Sequence, residues 1–121
     1  MMIFARTTVV ALLFASVSGL ADAAPQAPIS IKFGFYFGNT YRDLTQSAKR
    51  NYLAGFLDGA LVSPAFKAPK AELGWLERCI TGMTDAQLVA VVDKWLDTNP
   101  VRWQESMNIL AYVALKESCP P

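Results

Sequence analysis

The stretch CITGMTDAQLVAVVDKWLDTNP, residues 79–100, carries the clearest structural signal in the chain. Thr84 and Gln87 have the spacing of a capping box, in which each side chain bonds the other residue's backbone N–H at a helix start. Met83 and Leu88 occupy the two positions of a hydrophobic staple. Asn99-Pro100 stops the pattern. The sequence therefore predicts a capped helix with a buried stripe of Leu88, Val91, Val92, Trp95 and Leu96.

The opposite face of this helix is polar. It carries Asp93, Lys94 and Asp97. Two carboxylates four residues apart could serve acid–base chemistry, but no apolar residues surround them to raise a pKa. We therefore expect a solvated face.

Cys79, at the start of the quoted stretch, could be a nucleophile, a redox centre, a metal ligand or half of a disulfide. The sequence contains no histidine, so a cysteine nucleophile lacks its usual base and a zinc site lacks ligands. The one other cysteine is Cys119. Two thiols in a small exported domain usually pair, and we predict a Cys79–Cys119 disulfide.

Export is predicted from the first residues, MMIFARTTVVALLFASVSGLADAAPQ. Arg6, an apolar stretch of about 14 residues and the small residues of Ala21-Asp22-Ala23 form a secretory signal, which we place at residues 1–23. The stretch is shorter than the roughly 20 residues that span a bilayer. No later segment reads as a membrane span, so residues 24–121 are expected to be a single domain outside the membrane.

Two further helices are predicted. The first runs from Asp43 or Thr45 to Val62, and its apolar stripe includes Leu53, Phe56, Leu57, Ala60 and Leu61. The second runs from Trp103 or Gln104 to Lys116, and its stripe is Met107, Leu110, Ala111, Ala114 and Leu115.

Small or apolar residues also lie outside the main stripe of each of these helices. Glycines cost helix stability, so a strip of them suggests that another backbone approaches closely, and a helix that is apolar on two sides is usually buried on two sides. We predict a homodimer, whose interface would include Ala48, Gly55, Gly59, Ile109 and Val113.

The segment 63–82 contains prolines and glycines and is predicted to be a loop with one short helix near residues 71–78. Phe66 and Trp75 are expected to pin this loop. Before the first helix, Ile29, Ile31, Phe33, Phe35 and Phe37 alternate with smaller or polar residues, as in a strand with one buried face. Because no partner strand follows, we interpret residues 29–38 as an extended arm that packs on the helices or pairs with a second copy.

The expected fold is therefore mainly α: a small helical bundle of three main helices plus a short one, stapled by one disulfide, with an extended N-terminal arm. The formal net charge of +1 predicts neither a nucleic acid nor an anionic membrane as partner. Nothing in the sequence calls for a cofactor or a metal ion, and we do not expect an enzyme.

Several motifs together resemble a known family. NYLAGFLDGA (51–60), Cys79, GMTDAQLVAVVDKWLDTNPVRW (82–103) and ALKESCP (114–120) are similar to the Tai-like family of type VI secretion amidase immunity proteins. The resemblance covers roughly residues 48–120. It implies a small helical protein of the periplasm, often dimeric, that binds and blocks a peptidoglycan amidase delivered by a rival cell.

The chain departs from the family pattern at three places. Many relatives have a second cysteine pair, with one cysteine where this chain has Asn51-Tyr52. The segment 63–78 is longer and richer in proline, and residues 29–37 have no counterpart. The last two departures bear on the identity of any cognate toxin.

Loops held on a rigid scaffold often carry recognition, and tryptophan is a common interface anchor. We therefore predict that the partner contacts Phe66, Lys67, Lys70, Glu72 and Trp75. The alternative function is that of a periplasmic acid-stress chaperone or another small binding protein, since such chaperones also use a small helical fold with one disulfide.

Overall fold

The structure, a computed structural model, describes Pro28, Ile31 and residues 33–119. The predicted signal at residues 1–23 and the first arm residue, Ile29, lie outside this part of the chain.

Within these residues, five α-helices form a small bundle, which confirms the predicted mainly α fold class and adds one helix, Gly38–Arg42, to the four that were predicted. They are α1 (Gly38–Arg42), α2 (Gln46–Leu61), α3 (Gly74–Ile80), α4 (Asp85–Thr98) and α5 (Met107–Ser118). Short 3-10 helices occupy Ser63–Phe66, Lys70–Glu72 and Pro100–Arg102. The buried hydrophobic side chains come mostly from α4 and α5, with Tyr41, Leu53 and Leu76 from the other helices.

Helix α4 begins as its sequence predicts. The Thr84 hydroxyl accepts from the Gln87 backbone N–H at 3.2 Å, and the Gln87 side-chain oxygen accepts from the Thr84 N–H at 2.8 Å. Gly82, with φ +85°, makes the turn that leads into this cap. The buried residues of α4 are Leu88, Val89, Val92, Trp95 and Leu96. Val89 thus takes the fully buried place predicted for Val91, which is half-buried.

The outer face of α4 differs from the expectation of a solvated surface. Asp93 holds the buried Lys49 of α2, with Lys49 Nζ 3.0 Å from Asp93 Oδ2 and 3.2 Å from Oδ1. Asp97 lies 3.3 Å from the Arg42 guanidinium at the surface. The prediction was wrong for Asp93, because its partner lies 44 residues earlier, beyond any local pattern.

The helix predicted from Asp43 or Thr45 to Val62 is confirmed as α2 (Gln46–Leu61). Thr45 caps it, because its side chain accepts from the Ala48 N–H. The last helix, α5, begins at Met107, later than the predicted Trp103 or Gln104. Pro100 begins the 3-10 helix Pro100–Arg102, which precedes α5. The Trp103 indole N–H donates to the Leu96 carbonyl at 2.8 Å. This bond fixes the chain across the end of α4 before α5 starts.

The arm does not bury the face that alternation predicts. Ile31, Phe33 and Phe35 are 68%, 83% and 54% exposed. Residues 33–35 form bends, Gly34 has φ +152°, and the single bridge in the described residues joins Phe37 to Ser106. The described arm residues are consistent with the predicted extended arm, but the expected buried face is not formed within the described chain, where no neighbouring strand fixes its register. Pairing of the arm with a second copy stays a prediction.

Two contacts hold the end of the arm on the bundle. The Met107 N–H donates to the Tyr36 carbonyl at 2.8 Å, and the Tyr36 ring meets Tyr52 of α2 edge to face, with centroids 5.4 Å apart. Helix α1 then packs closely against the entry to α5: a β-carbon at Gly38 would lie 2.7 Å from Leu110 Cδ1. The same β-carbon would lie 3.0 Å from Trp103 Cα and 3.1 Å from the Trp103 carbonyl oxygen, so a side chain at the start of α1 would have to displace the Trp103 backbone.

The predicted disulfide between Cys79 and Cys119 is present, with Cα atoms 5.6 Å apart. It joins the last turn of α3 to the residue after α5. No helix in the described part of the chain has both the length and the apolar character needed to cross a bilayer.

Candidate functional site

The segment between α2 and α3 is a series of tight turns. Pro64 starts the 3-10 helix Ser63–Phe66, and Lys67 closes it in the left-handed conformation with φ 69°. The Lys67 N–H donates to the Pro64 carbonyl at 3.0 Å, and the Ala68 N–H donates to the Ser63 carbonyl at 3.2 Å. The backbone around Phe66 is thus fixed by its own hydrogen bonds.

Phe66 does not pin this segment, contrary to the first of its two predicted roles. Its side chain is 78% exposed. The other predicted contact residues nearby, Lys67, Lys70 and Glu72, are also exposed. Four of the five residues predicted to bind a partner therefore share an open segment of the surface.

Trp75, the fifth residue, has different surroundings. It is half-buried at the contact of α3 with α5, where its ring meets Tyr112 edge to face with centroids 5.5 Å apart. The Lys116 ammonium lies 4.4 Å from the centroid of the Trp75 ring. The indole N–H is buried and has no acceptor among the described residues. These contacts make Trp75 the pin that joins α3 to α5.

The residues predicted for a dimer interface lie on two helices, α2 and α5. Gly55 and Gly59 are exposed, and a β-carbon at either position would meet no atom within 4 Å in the described chain. Ala48 and Val113 are half-buried, and Ile109 is 51% exposed. The sequence predicted that another backbone lies close to these glycines, but none does so within the described part of one chain. The homodimer stays a prediction.

A groove that the sequence analysis missed lies between α2 and the entry to α4. Its volume is about 330 Å³, and Leu57, Leu61, Ile80, Met83 and Leu88 supply its apolar lining. The spacing of Leu57 and Leu61 was read as part of the buried stripe of α2. Leu61 is in fact 39% exposed, at the last residue of α2.

The buried polar cluster between α1, α2 and α4 is structural. Lys49 and Asp93 pair beside Tyr41, whose ring centroid is 5.3 Å from Lys49 Nζ. Burial, with a smaller contribution from Asp93, raises the pKa of Tyr41 above its ordinary value. Within the described residues, no three His, Cys, Asp or Glu side chains are grouped as metal ligands would be.

Comparison of the chain with known protein families, curated proteins and solved structures gives no match.

Proposed function

We propose that this protein is a periplasmic immunity protein that binds a type VI secretion amidase effector and blocks its access to peptidoglycan. The family resemblance of residues 48–120 supplies the identity of the partner. The observation that supports a binding role is Phe66, a large aromatic side chain that is 78% exposed on a hydrogen-bonded turn.

An anchor on a fixed turn favours tight binding. An aromatic side chain buries a large apolar area in a partner's pocket. The backbone that carries Phe66 is already ordered, so less conformational entropy is lost on association. Lys67, Lys70 and Glu72 are exposed on the same segment as the anchor and carry charges of both signs, as residues in the polar rim of a protein interface do.

The proposal is tested by protection and by binding. The full chain is co-expressed with type VI amidase effectors directed to the periplasm, and lysis is recorded. We expect protection against at least one effector. For that effector, Phe66→Ala should weaken binding about tenfold or more, or about 1.4 kcal/mol, with an unchanged melting temperature.

Two variants serve as controls. Val101 is 90% exposed on another part of the surface, so Val101→Ala should leave both protection and stability unchanged. Trp75→Ala should lower stability by about 2 kcal/mol, because it removes the contacts with Tyr112 and Lys116. Failure to protect against every effector tested would refute immunity, and full protection by Phe66→Ala would place recognition elsewhere.

The chaperone alternative has its own supporting observation, the exposed apolar side chains Ile31, Phe33 and Phe35 on the arm. Such a surface can cover apolar segments of unfolded clients. A chaperone should suppress the acid-induced aggregation of unrelated proteins, and an immunity protein should not. Suppression that is lost in the double variant Phe33→Ser/Phe35→Ser would favour the chaperone.

A further inference from the structure

The groove between α2 and the entry to α4 is open to solvent. Ala54, Leu57, Asp58 and Leu61 line it from α2, at spacings of i, i+3, i+4 and i+7. Residues at these spacings follow one side of a helix, and seven residues rise about 10 Å. The groove is therefore about two helical turns long.

The charges at this groove have one sign. Asp58 on α2 and Asp85 on α4 both line it, and no basic residue does so within the described chain. Asp85 is 61% exposed, and its nearest cation, Arg50 Nε, is 3.8 Å away. A pair so loose and exposed contributes little. Asp85 Oδ1 accepts from the Ala86 N–H at 2.7 Å, and Oδ2 can meet another cation in place of Arg50.

The backbone of the groove walls offers nothing to an extended peptide. The α2 wall is helical, so its main-chain groups bond within the helix. In the opposite wall, the Met83 and Thr84 N–H groups already donate to the Ile80 carbonyl and to the Gln87 side chain. A strand laid in the groove would bury its own polar backbone groups without partners. A helix satisfies its own backbone and presents apolar side chains at i, i+3, i+4 and i+7.

We propose that this groove is the docking site for a short basic amphipathic helix of a protein partner. Two turns of apolar side chains would fill the lining from Leu57 to Leu88, and flanking lysine or arginine side chains would meet Asp58 and Asp85. The groove is distinct from the Phe66 segment, and its proposed ligand does not depend on the partner being an amidase.

The test uses two labelled helical peptides of about 14 residues, a length that gives four turns. Both have leucines at i, i+3, i+4 and i+7; one carries flanking lysines and the other glutamates. Fluorescence anisotropy with the mature chain should show at least fivefold tighter binding of the lysine peptide. This preference should shrink at high salt, because exposed charges are screened.

Variants locate the binding site. Asp58→Lys should reverse the preference between the two peptides, whereas Asp43→Lys, the same change at an exposed position that does not line the groove, should preserve it. Leu61→Ser should weaken binding of both peptides at least fivefold, and Val101→Ser should not. Melting temperatures of all four variants confirm that they are folded.

Three results would overturn the proposal. They are no binding of either peptide, equal binding of both, or an Asp43→Lys effect as large as that of Asp58→Lys. If peptide binding passes these tests but the chain protects against no amidase, the immunity function is refuted and the docking proposal stands. Protection that survives Leu61→Ser would show that the amidase binds elsewhere.

Discussion

Lys49 is buried, at 7% exposure, and its ammonium depends on a single carboxylate for compensation among the described residues. A buried charge that loses its partner is costly, whereas replacement of both charges by apolar groups is often tolerated. The pair therefore matters more for the specific docking of α2 on α4 than for net stability.

Asp93→Asn should destabilise the fold by about 2 kcal/mol, less than for a fully buried pair because the Asp93 side chain is 25% exposed. The double variant Lys49→Met/Asp93→Leu should recover most of this loss. Asp97→Asn, which breaks an exposed pair with Arg42, should cost less than about 0.5 kcal/mol. Urea unfolding measures all three, and equal costs for Asp93→Asn and Asp97→Asn would contradict the assignment.

A second prediction at the residue scale concerns alkaline pH. Burial, followed by the neighbouring Tyr36, raises the pKa of Tyr52 from 10.0 to about 12. The unfolded chain therefore loses this proton before the folded chain does, and between these values the folded state binds more protons. The contribution of Tyr52 to the free energy of unfolding should be constant below pH 10.0 and should fall as the pH rises from 10.0 to about 12.

The Tyr52→Phe variant removes this ionisable group and should make the alkaline loss of stability shallower. Urea unfolding between pH 8 and pH 11.5 measures the slope. Tyr41 acts in the same direction, so part of the slope should remain in the variant. An identical slope in the variant and the parent would exclude Tyr52 as a contributor.

At the scale of secondary-structure elements, helix α4 shows how a local signal can set a boundary. Its capping box satisfies the backbone donors of Gln87 and Thr84, which would otherwise lack partners in the first turn. The same residue, Thr84, also lines the groove beside Asp85. The cap therefore fixes both the start of α4 and the shape of the groove mouth.

Thr84→Ala should destabilise the protein by about 1 kcal/mol, because it leaves the Gln87 N–H without its side-chain acceptor. For a domain of this size, such a loss lowers the melting temperature by roughly 4–8 °C. Thr98 lies at the other end of α4, where its hydroxyl bonds backbone carbonyls, and Thr98→Ala should cost less than about 0.5 kcal/mol. A Thr84→Ala protein as stable as Thr98→Ala would show that the cap is dispensable.

Most of the elements that the sequence predicted have long local patterns; the exception is the short helix expected near residues 71–78, which is found as α3 at Gly74–Ile80. Helices α2, α4 and α5 each repeat an apolar period over at least three turns, and this repetition overrides single exceptions. Helix α1 has five residues and no such repeat; it forms because Gly38 and Asn39 donate to carbonyls near Trp103, more than 60 residues away. The buried face predicted for the arm is not formed within the described chain for the same reason. The orientation of the arm depends on a distant hydrogen bond, in which the Met107 N–H donates to the Tyr36 carbonyl.

The candidate surfaces were predicted less well than the helices. Sequence position placed Phe66 and Trp75 in one segment, but exposure of a side chain depends on which helix packs over it. Helix α5 covers Trp75 and leaves Phe66 open. The groove was missed because Leu61 continues the apolar period of α2 but is exposed at the end of that helix, where it lines the groove.

At the scale of the whole molecule, the disulfide connects the end of α3 with the end of α5, and it spans α4 between them. Cross-linking two positions 40 residues apart removes conformations from the unfolded chain and so stabilises the folded one. The two helices that supply most of the core lie inside the closed loop.

Cys119→Ser should therefore destabilise the protein by about 4 kcal/mol on the chain-entropy account. Cys79→Ser should cost the same amount, and the double variant should cost no more than either single one. Thiol titration of the oxidised parent protein should find no free thiol until it is unfolded and reduced. Two reactive thiols in the native protein would contradict the pairing.

The closed loop also makes the consequences of a protease cut depend on where the cut falls. Arg102 lies inside it, between α4 and α5, so a trypsin-like cut there yields two pieces that the disulfide still joins. Lys67 and Lys70 lie outside it, and a cut at either one separates α2 covalently from α4. After a cut at Arg102, the disulfide still holds the two pieces together. After a cut at Lys67 or Lys70, only noncovalent contacts, among them the Lys49–Asp93 pair, hold α2 on the rest of the bundle.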